Sequence, residues 1–158
     1  IGHIVGTTLG VGGATLAEIF HRQAMRDSVV DETEASFLRT TYAVMRLGLI
    51  LLVVSGFGYL LLLRFEGQTQ YIYSPRVWTK LVITLIILVN AILLHLRKVP
   101  LWLGSSISLT SWYAALIIGA WRVHASFWTL LAVYAAAVFV VAGLKQFLRQ
   151  SNQGAKKT

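Results

Sequence analysis

Long apolar stretches alternate with short polar segments along almost the whole of this chain. Five of the apolar stretches are about 20 residues or longer, and each contains at most one charged residue. A helix of about 20 apolar residues crosses a hydrocarbon core about 30 Å thick. We therefore predict an all-α fold, a polytopic transmembrane helix bundle. Its five membrane-spanning helices are expected at about residues 1–20, 40–63, 77–96, 101–121 and 127–147.

The polar segments between these stretches carry signals for helix ends. Asp31, followed three residues later by Glu34, resembles a capping box at the start of the second helix. Ser74 and Pro75 are a favoured cap and first residue for the third helix. The segments 66–75 and 122–126 are expected to be a long loop and a short hairpin. We predict one domain, residues 1–149, and a disordered polar tail at 150–158.

Composition supports a membrane location. The chain has 56% hydrophobic and 13% charged residues, whereas soluble domains have about 25% charged residues. The net charge of +8 comes from basic residues at the ends of the predicted spans, so we expect no binding to nucleic acid. The chain lacks cysteine, which excludes disulfides, thiolate metal sites and iron-sulfur clusters, so a redox centre needs histidine or methionine ligands. Because the first residue is Ile1 and not methionine, we expect upstream residues or processing.

The distribution of lysine and arginine predicts the orientation of the bundle. Four basic residues lie on the side reached after the second and fourth spans: Arg64, Arg76, Lys80 and Arg122. The other ten lie on the opposite side: Arg22, Arg26, Arg39, Arg46, Arg97, Lys98, Lys145, Arg149, Lys156 and Lys157. The positive-inside rule then places the N-terminus outside and the C-terminus in the cytoplasm. We expect a multi-pass protein of a bacterial inner membrane.

All four histidines lie at or near the ends of the predicted spans. The topology brings His3 and His124 to the outer face, and His21 and His95 to the inner face. Two imidazoles on facing helices are suitable axial ligands for the iron of a haem b, which needs no cysteine. The inner pair is the better candidate because both of its members lie on helices. Alternatively, the histidines lie among lipid headgroups or donate hydrogen bonds to carbonyls at helix ends.

A single acidic residue, Glu18, lies within the first span. It falls at about the depth of Arg46, so an ion pair between these two is one expectation, since pairing reduces the cost of both charges. Glu18 also precedes His21 by three residues and shares its helical face, so it is a candidate to orient that imidazole or to relay protons. Asn90, deep in the third span, is expected to form a hydrogen bond with a neighbouring helix.

Small residues recur every fourth position in the first span, as in a glycine zipper: Gly2, Gly6, Gly10 and Ala14. Such a stripe lets another helix approach closely, and Gly56 and Gly58 are the expected partner surface. The same stripe is also suited to a flat cofactor or a lipid tail.

The segment from His3 to Gly13 resembles the first helix of small bacterial multi-spanning membrane proteins, some of them related to the copper-resistance D and transmembrane b-type cytochrome group. In these proteins a histidine precedes a glycine-rich turn. The run from Ser74 to His95 resembles the third helix of uncharacterised proteins of similar size. The resemblance implies a haem ligand at His3 and a second at His95, two residues that the topology places at opposite faces.

Three classes of function follow from these features. The first is a haem b electron-transfer protein or membrane anchor subunit with bis-histidine ligation. The second is a non-catalytic accessory subunit of a larger membrane complex, with other subunits or further copies of the chain as partners in the bilayer and no cofactor. The third is a small transporter or channel, which ranks last because no paired charges are visible in mid-membrane. Without a hydrolase triad, phosphate loop or carboxylate metal site, the chain is expected to be at most an electron-transfer subunit of an enzyme.

Overall fold

The computed structural model describes residues 1–27, 31–121 and 125–155, and within them every regular element is a helix. Five long helices and one short helix follow one another: α1 (Gly2–Asp27), α2 (Glu32–Phe65), α3 (Thr69–Ile72), α4 (Pro75–His95), α5 (Leu101–Ala120) and α6 (Phe127–Ala155). The all-helical prediction is confirmed, and each predicted span falls within one of the long helices or passes its end by a single residue. α6 continues to Ala155, into the segment where the sequence predicts a polar tail.

Four helices in the described ranges are long and apolar enough to cross a membrane: α2, α4, α5 and the part of α6 from Phe127 to Leu148. The chain is therefore a multi-pass membrane protein. α1 is not among the four because glycines and threonines dilute its apolar residues. Large apolar side chains on the outer faces of the bundle, such as Phe57, Leu85 and Phe139, are exposed, as contact with lipid requires.

The helix ends follow the capping signals in the sequence. The Glu34 amide donates to the Asp31 carboxylate at 2.7 Å, and the Asp31 amide donates to the Glu34 carboxylate at 3.3 Å, which completes the predicted capping box. Ser74 caps α4 and Pro75 is its first residue, also as predicted. The segment 66–75 is less irregular than expected because it contains α3. Residues 122–124 of the expected hairpin lie outside the described residues.

α5 lies at the centre of the bundle, where it contacts α1, α4 and α6. Trp112 is 1% exposed, and Ser106 and Ser111 are fully buried. Both serine hydroxyls donate to carbonyls of their own helix, and the Ser111 hydroxyl also lies 2.7 Å from the Tyr134 hydroxyl of α6. The polar residues of α5 therefore face protein, because lipid offers them no hydrogen-bond partner.

The predicted glycine stripe is the surface through which α1 packs against its neighbours. A Cβ atom on Gly6 would lie 2.8 Å from the Gly48 carbonyl oxygen and 2.8 Å from the Leu52 amide nitrogen of α2. Gly10 lies against the Trp112 ring of α5. The main partner on α2 is Gly48. Of the two predicted partners, Gly56 faces α1, because a Cβ there would lie 3.5 Å from the His3 ring, whereas Gly58 has open space around it. α1 is thus held between α2 and α5.

Candidate functional site

A cavity of about 330 Å³ lies between α1, α2, α4 and α5, towards the end of the bundle where α1 and α4 finish. Its wall combines small, apolar and polar side chains: Ala14, Ala17, Glu18, His21, Tyr42, Met45, Arg46, Leu49, Ile87, Asn90, Ala91, Leu94, His95, Arg97, Leu101, Ser105, Ser108 and Trp112. The volume is within the range of small-molecule sites, about 300–1,000 Å³. A mostly apolar wall with a few polar groups is typical of a ligand-binding pocket.

The cavity opens between α2 and α4. α2 packs mainly against α1, and among the extensive helix contacts within the described ranges none joins α2 to α4. Tyr42 and Arg46 of α2 and His95 of α4 line the cavity and are exposed, whereas Ala17 and Trp112 on its floor are buried. The mouth thus faces the lateral surface of the bundle, and the closed end is formed by α1 and α5.

The two histidines of the predicted inner pair line this one cavity. α1 and α4 place them there because His21 lies in the last two turns of α1 and His95 is the last residue of α4. His3 is about 27 Å from His21 along α1 at 1.5 Å per residue, and its Nδ1 lies 3.2 Å from the Ser55 hydroxyl. His124 lies outside the described residues, so the outer pair stays a prediction.

Glu18 forms ion pairs with residues other than the predicted Arg46. One carboxylate oxygen accepts from Arg22 at 2.9 Å and the other from Lys145 of α6 at 2.5 Å. Arg46 lines the same cavity but forms no ion pair within the described ranges. Lys145 also donates to the Ser105 hydroxyl at 3.0 Å, so this ammonium joins α1, α5 and α6.

Lys145 is the functional neighbour that sequence reasoning misses. Its signal is nevertheless present, since it is the single charged residue within the predicted span 127–147. A charge in that position needs a partner inside the bundle. In the count of basic residues, Lys145 serves only to predict the orientation of the bundle. Its need for a partner inside the bundle is not considered there.

Asn90 is 4% exposed and forms the predicted bond to a neighbouring helix. Its side-chain nitrogen donates to the Gly104 carbonyl of α5 at 2.9 Å. Its side-chain oxygen has no partner among the described residues, and neither has the indole nitrogen of Trp112. Since both residues line the cavity, its wall holds one free acceptor and one free donor.

Arg97 lies at the mouth with an unusual backbone. Two hydrogen bonds form a Schellman motif after α4, from the Lys98 amide to the Leu93 carbonyl at 2.9 Å and from the Arg97 amide to the Leu94 carbonyl at 3.1 Å. The motif puts Arg97 at φ 54°, in the left-handed region. Glycine is usual there, and a residue with a side chain costs about 1 kcal/mol or more.

The cavity wall offers two imidazoles as ligands, those of His21 and His95. Within the described ranges no three histidine or acidic residues lie close enough to hold an ion. Haem b needs only two axial imidazoles, and His21 and His95 are both available at the cavity. Ala14 and Ala17 leave room on the floor, and Trp112 offers a flat wall.

These features define the chain as a multi-pass helical membrane protein with a laterally open, two-histidine cavity. In comparisons with known proteins, no family model, no curated protein and no solved structure matches it.

Proposed function

We propose that this protein binds one haem b in the cavity, with His21 and His95 as axial ligands, and that it acts as an electron-transfer protein or as the membrane anchor subunit of a larger complex. The observation that carries the proposal is that two histidines from different helices line a single cavity. The bound haem would supply a one-electron redox centre.

Glu18 has a positioning role in this proposal. Its carboxylate oxygens accept from Arg22 and from Lys145, and among the described residues no hydrogen bond joins it to the His21 ring. It instead anchors the last turns of α1 to α6, one helical turn from His21. This anchor fixes the distance from the His21 backbone to α4, where His95 lies.

The proposal changes the pairing that the family resemblance implies. A relation to the copper-resistance D and transmembrane b-type cytochrome group favours His3 and His95 as ligands. His3 lies at the other end of α1 and is not part of the cavity wall. We therefore pair His95 with His21.

The spectrum of the dithionite-reduced protein tests the proposal. The purified wild-type chain is expected to show a Soret band with sharp α and β bands, because two imidazoles give a low-spin haem. The His21→Ala and His95→Ala variants should each lose these bands, since each removes one ligand. His3→Ala is the matched control and should keep them. A colourless, folded wild-type protein that fails to take up added haem would refute the proposal.

A colourless protein would favour a second candidate, transport of a small polar solute. The sequence ranks transport last because it reveals no paired charges in mid-membrane. The ion pair between Glu18 and Lys145 lies nearer the inner ends of its two helices, beside the cavity that also contains Asn90. Paired charges and buried amides within a bundle are typical of solute pathways.

We further propose that α1 is a fifth span, with the N-terminus outside and the C-terminus in the cytoplasm of a bacterium. α1 lies against the membrane-spanning part of α2, with Gly6 at Gly48 and with the rings of Phe20 and Phe37 stacked 5.5 Å apart. A helix that follows α2 in this way has the same depth in the bilayer.

Single cysteines test this topology, because the native chain has none. Ile1→Cys and Gln68→Cys are expected to react with a membrane-impermeant maleimide in intact spheroplasts. Lys98→Cys should react only after the membrane is opened, since it lies beyond the next span. Labelling of Ile1→Cys only in opened membranes would mean that α1 does not cross.

A further inference from the structure

Arg97 combines a strained backbone with a side chain at the mouth of the cavity. We propose that Arg97, together with Arg46 of α2, binds the anionic group of the ligand that occupies the cavity. The identity of that ligand rests on the proposed function. For haem b, the anionic groups are the two propionates. The chemistry recognised is a carboxylate or phosphate attached to an apolar body.

The left-handed backbone conformation of Arg97 indicates that its side chain has a functional role. The Schellman motif needs only the amide of this residue, and glycine would provide the same amide without the steric conflict at φ 54°. Strained positions tend to occur at ligand-binding sites, where the side chain compensates for its cost. The guanidinium of Arg97 is the part of the residue that glycine would lack.

The charges around the mouth identify the missing partner as an anion. Arg46 and Arg97 line the cavity from α2 and from the end of α4, and both are exposed. Neither forms an ion pair within residues 1–27, 31–121 and 125–155. Glu18 is the single acidic residue in the cavity wall, and its charge is already paired with Arg22 and Lys145. The mouth thus holds two cations without a counter-charge.

The rest of the cavity defines the body of the ligand. Its floor is apolar, with Ala14, Ala17, Ile87 and Trp112 buried at the closed end. A ligand with anionic groups at one edge and an apolar ring system or chain beyond them satisfies both regions. Arginine suits this task because its planar guanidinium forms two parallel hydrogen bonds to a carboxylate or phosphate.

The test compares haem b with its dimethyl ester, in which both propionates are neutral. Arg97→Gly and Arg97→Gln are expected to weaken haem b binding about tenfold or more, as for a lost charge-assisted bond, and to leave ester binding unchanged. Arg97→Gly should also raise the melting temperature of the ligand-free protein by about 2–4 °C, because it relieves the strain at this position. Lys98→Gln is the matched control, a neighbouring cation outside the cavity wall, and should change neither binding nor melting.

The outcomes separate the two proposals. Wild-type protein that binds haem b, with variants that bind it equally well, would overturn the role of Arg97 and leave the haem site intact. Wild-type protein that binds neither form would overturn the haem site, and the anion site is then measured with phosphatidylglycerol against phosphatidylcholine. Stabilisation by phosphatidylglycerol, but not by the zwitterionic phosphatidylcholine, that Arg97→Gln removes would assign the site to the headgroup of an anionic lipid. Equal melting of wild type and Arg97→Gln in both lipids would overturn the anion site.

Discussion

Replacing Gly6 with alanine is expected to destabilise the bundle by about 1–3 kcal/mol, the cost of overpacking a close helix contact. The new methyl group would lie 2.8 Å from backbone atoms of both Gly48 and Leu52. Backbone atoms cannot rotate away as a flexible side chain does, so α1 and α2 must separate. The free energy of unfolding in detergent, measured by denaturant titration, checks this prediction.

Gly12→Ala provides a control with the opposite sign. Gly12 is on the same helix, but nothing lies within 4 Å of the position that its Cβ would take. Alanine is favoured over glycine in a helix by up to about 1 kcal/mol. Gly12→Ala should therefore leave stability unchanged or raise it. If the two variants were equally stable, the close approach of α1 to α2 at Gly6 would be wrong.

The separation of α1 and α2 also has a consequence for the site. His21 is carried by α1, and Met45 and Leu49 of α2 line the same cavity. A shift of α1 away from α2 changes the position of His21 relative to α4. Gly6→Ala should therefore weaken ligand binding as well, although Gly6 is about 22 Å along the helix from His21 at 1.5 Å per residue.

The glycine stripe illustrates what a sequence of this kind can predict. A spacing of four residues places Gly2, Gly6 and Gly10 on one helical face. The packing surface of α1 can therefore be predicted from the sequence of α1 alone. The residues that pack against this surface cannot be predicted in the same way, because Gly48 is a single glycine in a leucine-rich run and Trp112 is a large side chain. Identifying them requires the relative positions of three helices.

The same limit applies to the cavity. The lengths and order of the helices are enough to place His21 and His95 at one end of the bundle. The gap between α2 and α4, which makes this end a cavity, arises because α4 packs against α5 and α6 whereas α2 packs mainly against α1. The left-handed backbone conformation of Arg97 also cannot be predicted from the sequence, because such a turn is normally marked by glycine.

Replacing Lys145 with methionine is expected to destabilise the protein by about 3 kcal/mol, the lower end for removing one partner of a buried ion pair. The Lys145 and Glu18 side chains are 10% and 12% exposed, so the remaining carboxylate is poorly solvated. The loss is at the lower end because Arg22 still donates to the other carboxylate oxygen. The methionine side chain fills most of the volume of the lysine stem, so packing changes little.

Two further variants separate the charge effect from other effects. Arg22→Met removes the other partner of Glu18, but that side chain is 61% exposed, and an exposed pair contributes about 0–1 kcal/mol. The double variant Glu18→Met with Lys145→Met removes both buried charges and should recover most of the stability lost in Lys145→Met. A double variant no more stable than the single one would contradict this assignment. The double variant should recover stability without recovering haem binding if the ion pair positions His21. The reason is that its bundle, although stable, would still lack the anchor between α1 and α6.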